Sequence, residues 1–222
     1  TDEVTNIEFG IKSDYLDGRL RFNAALFFVD VESLQTTIFD TSITNLFFSD
    51  NAANAEVKGF EGDFIWLPGS LEGLTVSGAF SLLDTEITDF LTPTNDVKKG
   101  DELAFAPQFQ GNLRARYEWD IGSAGLLAHV MPGVSWSSES FSDIISSNRD
   151  QIDSYFMANV TAGVGSDSWT AELYVNNLTD ERAEVSRNFV FDVRNVTYVQ
   201  PRTIGVRLNF GFGAATDERN VE

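Results

Sequence analysis

The stretch Phe109-Gln-Gly-Asn-Leu-Arg-Ala-Arg-Tyr-Glu-Trp119 alternates apolar and polar residues along its whole length. One face of this segment is apolar from Phe109 to Trp119, and the opposite face carries Arg114, Arg116 and Glu118. Successive side chains of a β-strand point to opposite faces, so a period of two predicts a strand with one apolar and one polar face.

The same period of two recurs outward from this stretch in both directions and predicts an all-β chain of nine strands. They cover approximately residues 6–14, 19–36, 55–67, 74–86, 105–119, 125–139, 152–165, 169–178 and 198–212. Short turns alternate with long polar loops, and the predicted long loops cover residues 37–54, 87–104, 140–151 and 179–197. Because each strand keeps its charges on one face, the opposite face is suited to an apolar environment.

Composition excludes several classes of protein. The chain of 222 residues has 34 Asp and Glu against 15 Lys and Arg, a net charge of −19. Nucleic acid is therefore not expected as a partner, because binding phosphates requires a basic face. With no Cys and a single His, Cys-ligated zinc and multi-histidine metal sites are excluded. We predict no catalytic constellation, no metal site and no cofactor.

Three features favour a transmembrane barrel over a soluble β-sandwich. A strand needs about 9–11 residues to cross a bilayer at a tilt near 45°, and the predicted strands have this length. Short turns at one rim and long loops at the other are typical of outer-membrane barrels. Trp66, Trp119 and Trp169 flank short turns on the apolar face, where an indole would lie at the lipid headgroups. With Phe212 they form the predicted interface aromatics.

Nine strands also predict that the sheet stays open. An up-and-down antiparallel barrel closes with an even number of strands. A barrel of about eight strands has an interior that its own side chains fill, whereas the polar face here is suited to a wide, wet or plugged interior. We therefore expect strands 6–14 and 198–212 each to leave one edge unpaired.

Four stretches carry a family resemblance. They are Asn6–Lys12 followed by Leu20–Asp30, then Val57–Phe64, then Ala106-Pro107, and finally Val175–Glu181 with Pro201-Arg202-Thr203 and Asn209–Phe212. Their order and spacing resemble the C-terminal part of the β-barrel of a TonB-dependent outer-membrane receptor. On this basis residues 1–212 are a barrel segment. Residues 213–222 are a polar C-terminal tail, a departure from the aromatic ending usual in the family.

The resemblance implies a place in a larger, 22-stranded barrel in contact with lipid of the bacterial outer membrane. It implies a receptor or transporter for a scarce ligand such as an iron–siderophore complex, energised by TonB through a plug domain absent from this chain. Cobalamin, haem and glycans remain open as ligands. Two other readings remain: a non-transporting barrel or adhesin-like structural protein, and a soluble carbohydrate-binding β-sandwich.

Two groups of candidate site residues follow. The charged residues of the polar face are predicted to face the lumen, where ion pairing against a plug is an alternative to ligand binding: Glu61, Asp63, Arg114, Arg116, Glu118, Glu172 and Arg207. Cations and aromatics of the long loops could hold and stack on an anionic chelate, or could simply solvate the loops: Phe47, Phe48, Lys98, Lys99, Phe141, Arg149, Arg182, Arg187, Phe189 and Arg194. His129 is expected to be a hydrogen-bonding residue of the lumen wall.

Overall fold

A computed structural model describes residues 1–40, 46–91, 97–122, 125–190 and 193–211. The regular structure of these ranges is β throughout. The strands are β1 Glu3–Tyr15, β2 Leu20–Asp40, β3 Leu46–Trp66, β4 Leu74–Phe90, β5 Phe109–Ile121, β6 Leu126–Ser137, β7 Ser140–Phe141, β8 Gln151–Ile152, β9 Tyr155–Ser166, β10 Trp169–Asn176, β11 Glu184–Val190, β12 Val193–Tyr198 and β13 Thr203–Phe210. Within these ranges, no helix is long and apolar enough to cross a membrane.

Nine strands form one antiparallel sheet in the order β1-β2-β3-β4-β5-β6-β9-β10-β13. The two remaining pairs, β7–β8 and β11–β12, are small ribbons within the long connections. The predicted all-β, up-and-down architecture with nine sheet strands is therefore confirmed. Because neighbouring strands alternate in direction, the four short turns lie at one rim of the sheet. The end of the β2–β3 hairpin and the three long connections, β4–β5, β6–β9 and β10–β13, lie at the other rim.

The sheet does not close on itself. Among the described residues, β1 pairs with β2 and β13 pairs with β10, and no ladder joins β1 to β13. This confirms the predicted open segment of a barrel.

The prediction of a long loop over residues 37–54 was wrong. Strand β2 continues to Asp40 and β3 begins at Leu46, so the β2–β3 hairpin extends well beyond the other strands. The segment Thr36 to Asp40 pairs with Leu46 to Asp50 in a continuous antiparallel ladder. The sequence prediction failed there because it required apolar residues on one constant face, and the pattern changes along this hairpin.

The polarity of the two faces inverts part of the way up β2, β3 and β4. From Leu20 to Phe28, nine residues of β2, the outer face is apolar, which is the length that crosses a bilayer. Beyond that point the outer face becomes charged, with Lys58 of β3 and Asp84 of β4 in neighbouring register positions. The inner face becomes apolar at the same height. Its fully buried residues and the loop residues packed on them form a small core: Ala52, Ala53, Ile87, Val97, Ile144 and Ile145.

Candidate functional site

One register row on the polar face crosses five strands. It runs from Glu118 to His129, Gly163, Glu172 and Arg207 through directly paired positions. Arg207 Nη1 donates to Glu172 Oε2 at 3.0 Å, and the other carboxylate oxygen, Oε1, lies 3.2 Å from His129 Nε2. The second contact lacks the alignment of a hydrogen bond. The row therefore places opposite charges side by side on the sheet.

Gly163 allows the two sides of this row to meet. A Cβ at that position would lie 2.7 Å from His129 Cε1 and 2.9 Å from Glu172 Cγ. The His129 side chain is 6% exposed and the Glu172 side chain 15%, so the contact is largely shielded from solvent. A side chain on β9 would fill this space and separate the two groups.

The seven residues predicted to face the lumen all lie on this polar face by register. Asp63 accepts a hydrogen bond from Asn23 at 3.0 Å, and Arg116 donates to Glu118 at 2.8 Å. Glu61 and Asp63 line an open concave hollow with residues of β1, β4 and β5. Arg114 is exposed on the same face. Their role in a lumen stays a prediction.

Three of the predicted interface aromatics lie at the short-turn rim. Trp66 is the last residue of β3, Trp169 is the first of β10, and Trp119 lies two residues before the end of β5. Trp119 also stacks on Tyr117, with ring centroids 5.5 Å apart. Phe212 lies outside the described residues. The common rim agrees with the predicted arrangement, and anchoring at lipid headgroups stays a prediction.

Arg149 links two long connections at the opposite rim. It belongs to the β6–β9 connection, where its Nη1 donates to the carbonyl of Asp143 at 2.9 Å. The same nitrogen donates to the carbonyl of Glu102, in the β4–β5 connection, at 2.8 Å. Its guanidinium carbon lies 3.8 Å from the centroid of the Phe141 ring, a cation–π contact. Arg149 and Phe141, two of the predicted ligand residues, thus contact each other, and Arg149 also binds backbone carbonyls of the protein.

Asp150 links the same connection to the β11–β12 ribbon. One carboxylate oxygen, Oδ2, lies 3.5 Å from Arg187 Nη1 and 3.5 Å from Arg194 Nε. Arg187 also bonds Glu184 on its own strand, and this hydrogen bond raises the pKa of the Arg187 guanidinium above its ordinary value. Arg187 is therefore a fixed positive charge in the ribbon.

The other candidate ligand residues have different surroundings. Lys98, Lys99 and Arg182 are exposed at the long-loop rim. Phe47 and Phe48 lie in β3 instead of a loop, and their backbones pair with Phe39 and Ile38. Phe189 lies in β11. Arg194 is exposed as well, although it contacts Asp150. Whether any of these residues meets a ligand stays a prediction.

Sequence reasoning missed the residues that hold the connections in place. Asn177 is 4% exposed, has a φ of 52°, and donates to the carbonyls of Glu181 and Gln200 at 2.8 and 3.0 Å. Its Oδ1 accepts from the Glu181 N–H, and its own N–H donates to Asn159 Oδ1. The only sequence signal was the motif Val175–Glu181, in which Asn177 forms the corner between β10 and the ribbon.

Comparison with known proteins defines the family. Residues 3–178 match the family described as TonB dependent receptor-like, beta-barrel, and the chain belongs to this family. Proteins of this family are outer-membrane β-barrels of Gram-negative bacteria, which confirms the predicted location. The relatives found are receptors, in agreement with the expectation that the protein is not an enzyme.

The chain is similar to several named receptors. It is 29% identical to the metal-pseudopaline receptor CntO of Pseudomonas aeruginosa, over 95% of this chain and 28% of the relative. It has the fold of the ferric yersiniabactin uptake receptor FyuA from Yersinia pestis, with a TM-score of 0.75, 16% identity and coverage of 96% of this chain and 30% of the other. It also has the fold of the siderophore receptor PiuA from Acinetobacter baumannii. The TM-score is 0.71 and the identity 20%, with coverage of 93% of this chain and 28% of the other. The chain spans under a third of the length of each.

Proposed function

We propose that this chain is part of a receptor that imports a metal chelate across the outer membrane, and that the chelate is an iron–siderophore complex. The observation that carries the proposal is the similarity to the metal-pseudopaline receptor along 95% of the chain. The same class of ligand is supported by fold neighbours named as a siderophore receptor and as a ferric yersiniabactin uptake receptor.

The charges at the long-loop rim are consistent with an anionic chelate. The net charge of −19 would repel such a ligand, so local cations must offset it. Lys98, Lys99 and Arg182 are exposed at this rim and are the proposed ligand contacts. Guanidinium and ammonium groups bind carboxylate, catecholate and hydroxamate oxygens through charge-assisted hydrogen bonds.

The polar face is consistent with a plugged interior. Its ion pairs, such as Glu172 with Arg207, keep charged groups neutralised on a wall that a folded domain can contact. We propose that a plug domain outside this chain occupies that space and that TonB drives transport through it. This proposal rests on family membership, since the chain itself contains barrel strands.

Uptake by living cells tests the function. The full-length gene product would be expressed in a Gram-negative host without its own ferric-chelate receptors. Ferripyoverdine, ferric yersiniabactin or a metal–pseudopaline complex would be the only iron source. We expect growth on at least one chelate in a host with TonB and none in an otherwise identical host without it. Growth that is equal in both hosts would contradict energised transport.

Binding by purified protein tests the ligand contacts separately. Replacement of Lys98, Lys99 and Arg182 by Ser should weaken binding of the accepted chelate by about tenfold, because each cation loses a charge-assisted contact. Arg19→Ser at the opposite rim is the matched control and should bind normally. If no chelate binds while haem, cobalamin or a glycan does, the proposed ligand class is wrong.

A further inference from the structure

Two adjacent residues contact all of the long connections outside the β2–β3 hairpin. Arg149 and Asp150 belong to the β6–β9 connection, and we call this pair the clasp. Through Arg149 the clasp reaches Asp101 and Glu102 of the β4–β5 connection. Through Asp150 it reaches Arg187 and Arg194 of the β11–β12 ribbon. Three segments that are distant in sequence thus meet at two consecutive positions.

The contacts of Arg149 show that its guanidinium group binds the protein itself. Its side chain is 12% exposed, and one nitrogen serves backbone carbonyls from two different connections. The guanidinium also covers the ring of Phe141, while the backbone N–H of Phe105 donates to the Phe141 carbonyl at 2.8 Å. Removing the guanidinium would leave two partly buried carbonyls without this donor, which is costly in a shielded position.

The contacts of Asp150 extend the same arrangement. Its carboxylate faces two arginines of the ribbon, while its backbone N–H donates to Ser142 Oγ at 2.9 Å. The backbone N–H of Ser142 donates in return to the Asp150 carbonyl at 2.9 Å. The clasp is therefore hydrogen-bonded within its own connection and forms ion pairs with the other two connections.

We propose that the clasp holds the three connections together as one body and fixes the relative positions of the exposed cations at this rim. Lys98 belongs to the β4–β5 connection and Arg182 lies two residues before the ribbon, so both depend on the clasp for their placement. Arg149 and Asp150 are positioning residues in this scheme. Only the consequence for chelate affinity rests on the proposed function.

Hydrogen exchange of the full-length receptor in detergent, without any chelate, tests the clasp. We expect Arg149→Gln to accelerate backbone exchange about tenfold over residues 101–105, in a connection to which Arg149 does not belong. Asp150→Asn should accelerate exchange over residues 184–198 by a similar factor. Arg21→Gln and Asp167→Asn remove the same charges at the opposite rim and should change neither segment.

Conservative replacement sharpens the test. Arg149→Lys keeps the charge but loses the planar donor set, so exchange over residues 101–105 should be intermediate. This variant and Asp150→Asn also keep the test decisive if Arg149→Gln fails to assemble. Exchange that changes only within residues 140–152, or not at all, would overturn the proposal, because the buried apolar core would then hold the connections by itself.

Chelate binding gives an independent measurement. In the clasp variants the affinity for a metal–pseudopaline complex should fall, with faster dissociation, because the cations are no longer held in place. A direct ligand role for Arg149 would lower affinity without changing exchange in the unliganded receptor. If the receptor binds no chelate at all, the proposed function fails while the exchange measurements still decide whether the clasp exists.

Discussion

His129 Nε2 lies 3.2 Å from Glu172 Oε1, although β9 separates the strands that carry these two residues. Neighbouring strands are about 4.8 Å apart, so residues on next-nearest strands rarely touch. The contact exists because Gly163 occupies the intervening register position and has no side chain. A single glycine therefore lets side chains of β6 and β10 meet across the strand between them.

Gly163→Ala should destabilise the barrel. The added Cβ would lie 2.7 Å from the Ala171 carbonyl oxygen as well as from the His129 ring, and backbone cannot easily move. We expect a loss of about 1–3 kcal/mol, seen as a lower thermal midpoint in detergent. Gly133→Ala on the same face is the control, because its nearest neighbours would be 3.6 and 3.8 Å away. Equal effects of the two substitutions would contradict this explanation.

Leu113→Arg should impair assembly far more than Asn112→Arg. Leu113 is on the apolar face and pairs with Gly78 and Val134, whereas Asn112 is on the polar face. An arginine on the lipid side costs about 2–4 kcal/mol at the bilayer midplane and less near the interfaces. The folded fraction in isolated outer membranes can be measured by heat-modifiable gel mobility. Normal assembly of Leu113→Arg would show that the apolar face does not meet lipid.

Depth-dependent quenching tests the aromatic rim. In variants that retain one tryptophan, Trp66, Trp119 and Trp169 should be quenched most by lipids brominated close to the headgroup. Trp136 pairs with Gly111 and Phe156, toward the opposite rim, so it is removed from each of these variants. The expectation follows from the preference of indole for the membrane interface. Unequal depths among the first three would refute a common rim.

Asn177→Ala should loosen the corner between β10 and the ribbon. The substitution removes hydrogen bonds to Glu181 and Gln200 and leaves partly buried backbone groups without these partners. We expect a loss of about 2–3 kcal/mol and faster protease cleavage within residues 178–202. Asn209→Ala removes an exposed side-chain bond to Thr170 and serves as the control. Intact protease resistance of Asn177→Ala would argue against a structural role.

Local alternation predicted most of the sheet. For β5 the apolar and polar faces could be read directly, because the direction of each side chain depends only on its position along the strand. The same reading missed residues 37–40 of β2 and 46–54 of β3. They lie beyond the paired positions Lys58 and Asp84, where the outer face becomes charged. There the outer face changes from apolar to charged along a single strand, so a constant apolar face no longer identifies the strand.

Some features of the candidate site could likewise be predicted from the sequence, and others could not. The membership of Glu118, Glu172 and Arg207 in one face was predictable, because alternation alone decides it. The binding of Arg149 and Arg187 to other connections could not be predicted, because their partners there lie on segments far away in sequence. A cation in a polar loop has the same sequence appearance whether it meets a ligand or a carbonyl.

The sequence by itself determined the nine strands of the main sheet apart from the β2–β3 extension, the faces of those strands, the open sheet and the family. These properties depend on the order of neighbouring residues and on the number of strands, and both can be read from the sequence without knowing any long-range contact. The tertiary structure alone decided that loops fold onto the inner face at Ile87, and that Arg149 and Asp150 join three connections. Those contacts depend on the register of the whole sheet, which brings distant segments to one rim and lets geometry select their partners.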